Sequence, residues 1–353
     1  MNKNLQVGLI GFGMGGQLFH APIISAVDGL TLKKIRAARP EQITLARARY
    51  PEADLVADAQ EIILDPEIDL VVITTPNEFH APLARAALLS GKHAVIDKPF
   101  TISTEEADEL IALANEQDKI ISVFQSRRFD SDFRTVQQVI ASGLLGRIVE
   151  VESRYDRFRN FLRPGSWKEK DIPGSGILYD LGSHLIDQAL TLYGLPQTVT
   201  AFIDRQRSGS LIDDHFEVIL QYPEVKFTLK SGMLVRKPLQ RFVLFGSEGI
   251  FVKKGMDVQE EALKAGIDPR SKADWGLEPT ELWGSLQSNI HGLAIHGKIE
   301  SLPGDYRIYY KNIYESIQGK AELLVTATQA RNVIRIIELA KQSQREKRSI
   351  PFA

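Results

Sequence analysis

Two charged residues follow a short apolar segment, residues 94–96, that predicts a buried β-strand. They are Asp97 and Lys98, and the next residue is Pro99. A buried charge is costly unless it has a partner or a function, and ligands of open α/β sheets bind at the carboxyl edge of the strands. Proline also favours an extended conformation for the residue before it. The sequence therefore predicts that Lys98 is held at a ligand-binding edge.

A second pair of titratable residues, Asp180 and His184, lies four positions apart in a predicted helix at 178–193. Residues at that spacing share a helix face, and such a pair alone is equally compatible with a surface contact. The glycine-rich segment 174–176 before the helix favours function, because it lets backbone approach a ligand. With an ordinary pKa of ~6.5, histidine can take and return a proton near neutrality. The carboxylate could orient that imidazole or bind a substrate hydroxyl.

The segment G-F-G-M-G-G at 11–16 matches the G-x-G-x-x-G pattern. A lone match is weak, but here a predicted strand precedes it and a predicted helix follows, which is the context of a dinucleotide-binding turn. The first glycine permits the tight turn, and the second lets backbone approach a pyrophosphate at the helix N-terminus. The predicted cofactor-binding residues of this turn are Gly11, Phe12, Gly13, Met14 and Gly16.

The end of the second predicted strand indicates which dinucleotide is bound. NAD sites usually place Asp or Glu there to bond the ribose hydroxyls. This chain has no carboxylate before Pro40 and offers Arg36 and Arg39 instead. A guanidinium pairs well with the 2′-phosphate of NADP and stacks on adenine, although both arginines could also be solvated loop residues. The sequence predicts that NADP(H) is preferred over NAD(H).

The elements that must position these residues alternate in type through the first third of the chain. Apolar strand-length runs alternate with amphipathic helix-length segments, which indicates a doubly wound parallel sheet with crossover helices. The predicted strands are 5–10, 30–35, 70–75, 94–96 and 120–124, and the predicted helices are 17–26, 41–49, 81–89 and 104–115. We predict an α/β chain whose first domain, residues 1–125, is a Rossmann dinucleotide-binding domain.

The remainder, residues 126–353, shows strands that follow one another without intervening helices, which predicts a large, mostly antiparallel open sheet. We predict an α+β domain for substrate binding and oligomerisation, whose C-terminal helices pack back on the first domain. Its predicted strands are 148–155, 198–204, 216–221, 226–231 and 242–245; its predicted helices are 131–142, 178–193, 306–317 and 327–341, with a loop at 157–176.

Composition excludes several other classes of function. The 353 residues carry a net charge of −2 with no sustained basic run, so nucleic acid and anionic membranes are not expected as partners. With no cysteine and no histidine-rich cluster, no catalytic zinc site is expected. No segment reaches the ~20 apolar residues that span a bilayer, and the N-terminus is typical of a strand, not a signal peptide. We expect a cytoplasmic protein.

The motifs together resemble those of the glucose–fructose oxidoreductase, inositol dehydrogenase and rhizopine catabolism (Gfo/Idh/MocA) family. The resemblance covers nearly the whole chain, and Asp97 is a departure because glutamate is commoner at that position. The matching segments are D-K-P at 97–99, T-T-P-N at 74–77 followed by His80, F-Q-S-R-R-F at 124–129 and G-S-G-I-L-Y-D-L-G-S-H at 174–184. Within the family, F-H-A-P at 19–22, D-R-F-R at 156–159 and Y-D-L-G-S-H at 179–184 are similar to NADP-dependent scyllo-inositol dehydrogenases.

The resemblance implies hydride transfer between the nicotinamide of NADP(H) and a polyol or sugar carbon, with scyllo-inositol and 2-keto-inositol as the best candidates. It implies that Lys98, Asp180 and His184 are catalytic and bind substrate, and that Lys98 binds the reacting oxygen. Further expected cofactor-binding residues are Thr75, Pro76, Asn77, His80, Asp97, Lys98 and Gln125. Further expected substrate-binding residues are Arg127, Tyr155, Arg157 and Trp167. It also implies a homodimer or homotetramer formed through the open face of the second sheet.

Three alternatives remain at this point. The chain could be an aldose or other sugar dehydrogenase of the same family. It could be a sugar-sensing regulator that binds a dinucleotide without turnover, which would need neither Lys98 nor His184. It could be a redox-assisted glycosidase that retains NAD, against which Arg39 argues. We expect His20 and His215 to be structural histidines and assign no role to His291 or His296.

Overall fold

The computed structural model describes residues 4–163 and 169–352. Among them, six parallel strands form a sheet in the order β3-β2-β1-β4-β5-β6. This is the strand order of the Rossmann fold, so the predicted doubly wound sheet is confirmed. The strands are β1 (Leu5–Ile10), β2 (Leu30–Arg36), β3 (Asp54–Val56), β4 (Leu70–Ile73), β5 (His93–Asp97) and β6 (Ile121–Phe124).

Crossover helices cover this sheet, as the buried, uninterrupted apolar strand β4 requires. The sequence missed the short elements β3 and α3, which are too brief to show a period. The helices are a π-helical turn (Gly16–His20) continuing into α1 (Ala21–Ser25), then α2 (Pro40–Arg49), α3 (Gln60–Ile63), α4 (His80–Leu89) and α5 (Thr104–Glu116). The compact unit built on this sheet, called the first unit below, contains residues up to Ser126 and also Gln259–Trp275 and Asp305–Arg331.

Two later helices therefore pack in the first unit. They are α8 (Gln259–Lys264) and α9 (Arg307–Ile317). In α9, Tyr309 and Tyr310 are almost completely buried and their rings lie 4.9 and 5.6 Å from the ring of Phe124 at the end of β6. Tyr309 also donates a hydrogen bond to Ser122 Oγ at 2.8 Å. This aromatic cluster fixes α9 against the first sheet.

The second unit contains Arg127–Val258, Gly276–Gly304 and Asn332 onward. Its described strands form a nine-stranded sheet in the order β14-β13-β12-β11-β7-β10-β9-β8-β15. All neighbouring strands run antiparallel except β7 and β10, which confirms the predicted, mostly antiparallel sheet. The strands are β7 (Ile148–Arg154), β8 (Thr198–Asp204), β9 (His215–Gln221), β10 (Lys226–Gly232), β11 (Phe242–Gly246), β12 (Gly249–Lys253), β13 (Gly284–Ile290), β14 (Leu293–Ile299) and β15 (Ile350–Pro351).

The helices of the second unit supply the other half of its core. They are α6 (Ser131–Ala141), α7 (Ser183–Tyr193), which follows a π-helical turn (Leu178–Gly182), and α10 (Ala327–Glu346), which begins in the first unit. Apolar residues of α6 and α7, such as Phe133 and Leu185, are fully buried with Phe227 and Leu229 of β10. The described helices include none that combines the length and apolar composition needed to cross a bilayer.

Candidate active site

The glycine turn follows β1 and is shaped by close backbone contacts. Gly11 has φ +104°, where a side chain would be strained, and a Cβ there would lie 2.8 Å from Thr74 O. A Cβ on Gly16 would lie 2.3 Å from Gly11 O. Thr74 Oγ1 donates to the same Gly11 carbonyl at 2.6 Å. The turn is therefore packed tightly against the end of β4.

A Cβ on Gly13, in contrast, would meet no atom within 4 Å. The buried polar atoms of the first unit that have no hydrogen-bond partner among the described residues include Thr75 Oγ1 after β4 and Gln125 Oε1 after β6. Buried groups of this kind are costly and are usually satisfied by water or a ligand. An open glycine backbone at the start of a helix, with unsatisfied polar groups after β4 and β6 at the carboxyl edge of the same sheet, fits a dinucleotide.

Two other side chains of the predicted turn lie in contrasting environments. Phe12 is 1% exposed and packs edge-on against Tyr50 with ring centroids 6.1 Å apart. Met14 is 63% exposed. The expected cofactor contact of Phe12 is therefore limited to its backbone, whereas the Met14 side chain is accessible.

The two arginines that are predicted to determine the preference for NADP(H) lie at and after the end of β2. Arg36 Nε donates to Ala57 O at 3.1 Å, which ties this side chain to the chain after β3. Arg39 is exposed and pairs with Glu41 at 3.3 Å, a contact that a surface position makes weak. Gln42 accepts hydrogen bonds from the Ala38 and Arg39 amides at 3.3 Å each. The Arg39 guanidinium can therefore leave Glu41 for a phosphate at little cost.

Lys98 stands at the carboxyl edge of β5, and Asp97 holds its backbone. Asp97 Oδ1 accepts a hydrogen bond from the Lys98 amide at 2.8 Å. The other oxygen, Oδ2, lies 2.8 Å from where a Cβ on Gly15 would stand, so the carboxylate borders the glycine turn. Burial opposes ionisation of Asp97, but His20, Lys98 and His80 together hold its pKa below the ordinary value. The carboxylate is an anion beside both the lysine and the turn.

His80, at the start of α4, connects the loops that follow β4 and β5. Its Nδ1 lies 2.8 Å from Pro99 O and its Nε2 lies 2.9 Å from Thr75 O. The ring is 1% exposed, and burial lowers its pKa. Both nitrogens thus face protein carbonyls, so His80 positions the two loops, and the expected contact with a cofactor has to come from the loops themselves.

In the second unit, Asp180 lies in the π-helical turn Leu178–Gly182 and His184 in the first turn of α7. The start of this turn is fixed by Asp213, whose Oδ2 accepts a hydrogen bond from the Leu178 amide at 2.8 Å. Gly176 has φ +93°, and a Cβ there would lie 2.0 Å from Asp213 Oδ1. The glycine before the helix is therefore required by this contact as well as by its backbone conformation.

His184 is 7% exposed and lies beside Tyr155, with ring centroids 6.2 Å apart. The Tyr155 hydroxyl lies 3.4 Å from Asp130 Oδ2, and Arg127 Nη1 lies 3.5 Å from the same oxygen. Burial raises the pKa of Tyr155, so its hydroxyl stays protonated near neutral pH. The structure therefore brings together three predicted site residues, His184, Tyr155 and Arg127.

The other residues predicted for substrate binding have different surroundings. Arg157 is exposed, and its amide and carbonyl make backbone hydrogen bonds to Gly232 and Val235. Trp167 lies outside the described residues. Within residues 4–163 and 169–352, no group of three or more potential ligand side chains is arranged to hold a metal ion.

Sequence reasoning missed four residues that shape these sites: Thr74, Asp130, Asp213 and Arg241. Arg241 is 3% exposed, stacks over the Tyr155 ring at 4.0 Å and donates to Gln188 Oε1 at 2.7 Å. A threonine at a predicted strand end and an aspartate before a predicted helix were available signals for Thr74 and Asp130. Asp213 and Arg241 act on residues far away in sequence, so no local pattern marks them.

Comparison with known proteins finds two family matches along the chain. Residues 5–125 match the description "Oxidoreductase family, NAD-binding Rossmann fold", and residues 137–352 match "Oxidoreductase family, C-terminal alpha/beta domain". The solved structure of the oxidoreductase YvaA of Bacillus subtilis has a TM-score of 0.96 at 37% identity, covering 100% of this chain and 99% of that one.

Relatives match over the full length. The chain is 40% identical over 354 residues to the uncharacterised oxidoreductase YdgJ of Escherichia coli, covering 100% of both chains. It is 38% identical over 349 residues to the scyllo-inositol 2-dehydrogenase (NADP(+)) IolW of Bacillus subtilis, covering 98% of this chain and 95% of the relative. The chain therefore belongs to the glucose–fructose oxidoreductase, inositol dehydrogenase and rhizopine catabolism (Gfo/Idh/MocA) family of oxidoreductases.

Proposed function

We propose that the chain is an NADP(H)-dependent dehydrogenase that acts on a CH–OH group of a polyol or sugar, with scyllo-inositol as the preferred substrate and 2-keto-inositol as its product. The single observation that carries the proposal is that the carboxylate holding Lys98 borders the glycine turn, at the position where a Gly15 Cβ would meet Asp97 Oδ2. The backbone of Lys98 is thereby fixed beside the turn that fits a dinucleotide. The choice of inositol is supported by the full-length relative that carries that activity.

The proposed roles follow from the chemistry of each side chain. Oxidation of a CH–OH group releases a hydride and a proton, and bound NADP+ supplies the acceptor for the hydride. Lys98 binds the hydroxyl oxygen through its ammonium group and stabilises the negative charge that develops there. His184 accepts the hydroxyl proton through its imidazole, and Asp180 orients that ring or bonds a neighbouring hydroxyl. In the reverse direction His184 returns the proton to the oxygen of the ketone.

The surroundings of His184 suit a general base whose side chain must keep a fixed orientation. The ring is nearly buried beside Tyr155, whose own ring is covered by the Arg241 guanidinium. Packing of this kind restricts rotation of the imidazole, and a fixed orientation is what proton transfer requires. Tyr155 and Arg127 also offer hydrogen-bond donors of the type that a ring of hydroxyl groups needs.

We also propose that the chain assembles as a homodimer or homotetramer through the open face of the second sheet. That face carries large apolar side chains that are substantially exposed in the single chain, including Phe202 and Phe245 at 54% and 36%. Exposed apolar area of this kind favours a protein interface. Light scattering on the purified protein tests the proposal, and a monomeric mass would contradict it.

The test of the enzymatic proposal is a substrate panel. Scyllo-inositol, myo-inositol and aldoses are each incubated with NADP+ or NAD+, and formation of the reduced nicotinamide is followed by absorbance. We expect turnover with scyllo-inositol and NADP+. Turnover with an aldose alone would favour a sugar dehydrogenase, and dinucleotide binding without turnover of any substrate would favour a regulator.

Two variants test the assigned roles. Lys98→Ala and His184→Ala are expected to lower kcat by at least about a hundredfold, as the loss of a charge-stabilising or proton-transfer group does, while NADP+ still binds. Lys33→Ala and His215→Ala serve as matched controls, because these residues pair with Glu67 and Asp204 elsewhere in their own units. Turnover by Lys98→Ala at the wild-type rate would overturn the proposal.

A further inference from the structure

His20, which ends the π-helical turn after the glycine segment, is completely buried in the first unit. Its Nδ1 lies 2.6 Å from the Tyr310 hydroxyl in α9, and its ring lies 4.4 Å from the ring of Phe124. Its Nε2 has no hydrogen-bond partner among the described residues, but Asp97 Oδ1 lies 3.6 Å away. The imidazole therefore stands between a tyrosine hydroxyl and the carboxylate that holds Lys98.

The two neighbours of His20 decide which of its ring nitrogens carries the proton. Burial, with Tyr309 and Asp97 nearby, raises the pKa of Tyr310 well above its ordinary value, so the hydroxyl keeps its proton and can donate it to Nδ1. With the imidazole proton on Nε2, the ring points an N–H at the Asp97 carboxylate, whereas the other tautomer would point a lone pair at that anion. That N–H then faces Asp97, and the contact is electrostatic at this distance because 3.6 Å is longer than a hydrogen bond.

Packing alone does not account for this arrangement. An apolar side chain would fill the space between Phe124 and Tyr310 without burying a nitrogen that lacks a hydrogen-bond partner, which carries a desolvation cost. The nitrogen faces the one carboxylate oxygen that also accepts the Lys98 amide. His20 Nε2 is therefore placed to act, through Asp97, on Lys98, the residue on which the proposed chemistry depends.

We propose that His20 is a positioning residue for Lys98: held in one tautomer by the Tyr310 hydroxyl together with Asp97, it directs an N–H at Asp97 and keeps that carboxylate ionised and turned onto the Lys98 backbone amide. The proposal rests on the proposed function, since it assigns Lys98 to the reaction. The other titratable groups that act on Asp97 are Lys98, His80 and Tyr310, with Tyr309 beside Tyr310.

The first experiment compares two neighbouring tyrosines. Tyr310→Phe removes the hydroxyl that contacts His20, and Tyr309→Phe removes an equally buried hydroxyl that bonds Ser122 instead. We expect Tyr310→Phe to lower kcat about tenfold, equivalent to ~1.4 kcal/mol in the barrier, with the Kd for NADP+ unchanged. Tyr309→Phe should keep kcat within about twofold of the wild type, even if it lowers the Tm as much as Tyr310→Phe does. Equal losses of kcat in the two variants would overturn the proposal.

The second experiment separates the two nitrogens of His20. The amide nitrogen of Gln can take the place of Nε2, whereas the amide of Asn reaches only the place of Nδ1. His20→Gln should therefore keep most of kcat, and His20→Asn should lose about tenfold. The acid limb of kcat/KM should move to higher pH in His20→Asn, because His20 is one of the groups that lower the pKa of Asp97. If kcat of the two His20 variants falls only in proportion to their Tm, and the acid limb of the pH profile of kcat/KM does not shift, His20 has a purely structural role.

A third measurement needs no turnover. The carboxyl carbon of Asp97, labelled with carbon-13 and assigned with Asp97→Asn, is titrated by NMR in the wild type and in His20→Asn without cofactor. We expect its pKa to rise in the variant, and an unchanged pKa would overturn the proposal whatever the kinetics show. A raised pKa in a protein in which Lys98→Ala turns over normally would support the contact to Asp97 and refute the proposed function.

Discussion

Arg128 and Asp187 are joined by two hydrogen bonds inside the second unit, from Nε to Oδ2 at 2.7 Å and from Nη2 to Oδ1 at 2.6 Å. Both side chains are almost fully buried. Asp187 lies in α7, three residues after His184, and Arg128 lies in the turn Ser126–Phe129. The planar, bidentate pair therefore fixes the helix that carries the proposed base.

Removing one partner of this pair should destabilise the protein strongly. Arg128→Leu leaves the Asp187 carboxylate buried without its bidentate partner, which typically costs about 3–5 kcal/mol. The double variant Arg128→Leu with Asp187→Leu should lose less than the single one, because no buried charge remains. The free energy of unfolding in urea measures both. A double variant as unstable as the single variant would contradict the expectation.

Gly13 and Gly16 provide a matched pair for the proposed cofactor turn. Gly13→Ala adds a methyl group where no protein atom lies within 4 Å, so the Tm should not change. The same methyl group would occupy space needed by a pyrophosphate, and the Kd for NADP+ should rise at least about tenfold, or ~1.4 kcal/mol. Calorimetric titration and thermal unfolding measure the two quantities.

Gly16→Ala should behave in the opposite way. Its new Cβ would lie 2.3 Å from Gly11 O, so the turn must distort and the Tm should fall even without a ligand. Wild-type affinity for NADP+ in Gly13→Ala would show that the dinucleotide does not lie on this backbone.

The first half of the fold was predictable because its physics is local. Strands such as β4 are uniformly apolar and the helices between them are amphipathic, so each period appears within a few residues. Gly11 could be recognised because φ +104° favours glycine at that position, and Gly13 because an open backbone in the same short segment suits the proposed pyrophosphate. The element ends differ from the prediction by a few residues, as at β4, which ends at Ile73 rather than residue 75.

The features that could not be predicted depend on contacts between residues that are far apart in the sequence. Strand β13 pairs with β12 and β14, and β14 is exposed along most of its length, so no buried face marks it in the sequence. The π-helical turn that carries Asp180 begins at Leu178. The backbone amide of Leu178 donates a hydrogen bond to Asp213, which lies 35 residues further along the chain. His20 was expected to be a structural histidine, and only the fold shows that its neighbours are Tyr310 and Asp97.

Arg39 should decide the preference between dinucleotides. Arg39→Asp removes the cation proposed to pair with the 2′-phosphate and introduces a carboxylate that suits the ribose hydroxyls of NAD. The Kd for NADP+ should rise at least about tenfold more than the Kd for NAD+. Arg85→Asp is the matched control, because Arg85 is also exposed and paired with a glutamate, Glu109. Equal losses for both dinucleotides would refute the assignment.

The same assignment predicts a difference in salt dependence. Attraction between an exposed guanidinium and a phosphate is screened as ionic strength rises. The Kd for NADP+ should therefore increase more steeply with salt than the Kd for NAD+ in the wild type, and the difference should shrink in Arg39→Asp. Parallel salt curves for the two dinucleotides in the wild type would argue against a charge contact at this position.

His93 should make the stability of the first unit depend on pH. Its Nδ1 accepts a hydrogen bond from the Ile120 amide at 3.0 Å, which requires an unprotonated nitrogen. Burial, assisted by Lys119, lowers the pKa of His93 from 6.5 to about 4. Between these values the unfolded chain binds a proton that the folded chain does not, so stability falls as pH falls through this window. Above it, His93 contributes no pH dependence.

His93→Asn tests this expectation, since the amide oxygen of Asn can accept the Ile120 hydrogen bond and does not titrate. Relative to wild type, the variant should gain up to ~3 kcal/mol in free energy of unfolding between about pH 7 and about pH 4.5. The control is His291→Asn, an exposed position with φ +52° that Asn tolerates, and it should show no such gain. A constant difference between wild type and His93→Asn at both pH values would mean that His93 takes up its proton in the folded protein as easily as in the unfolded chain.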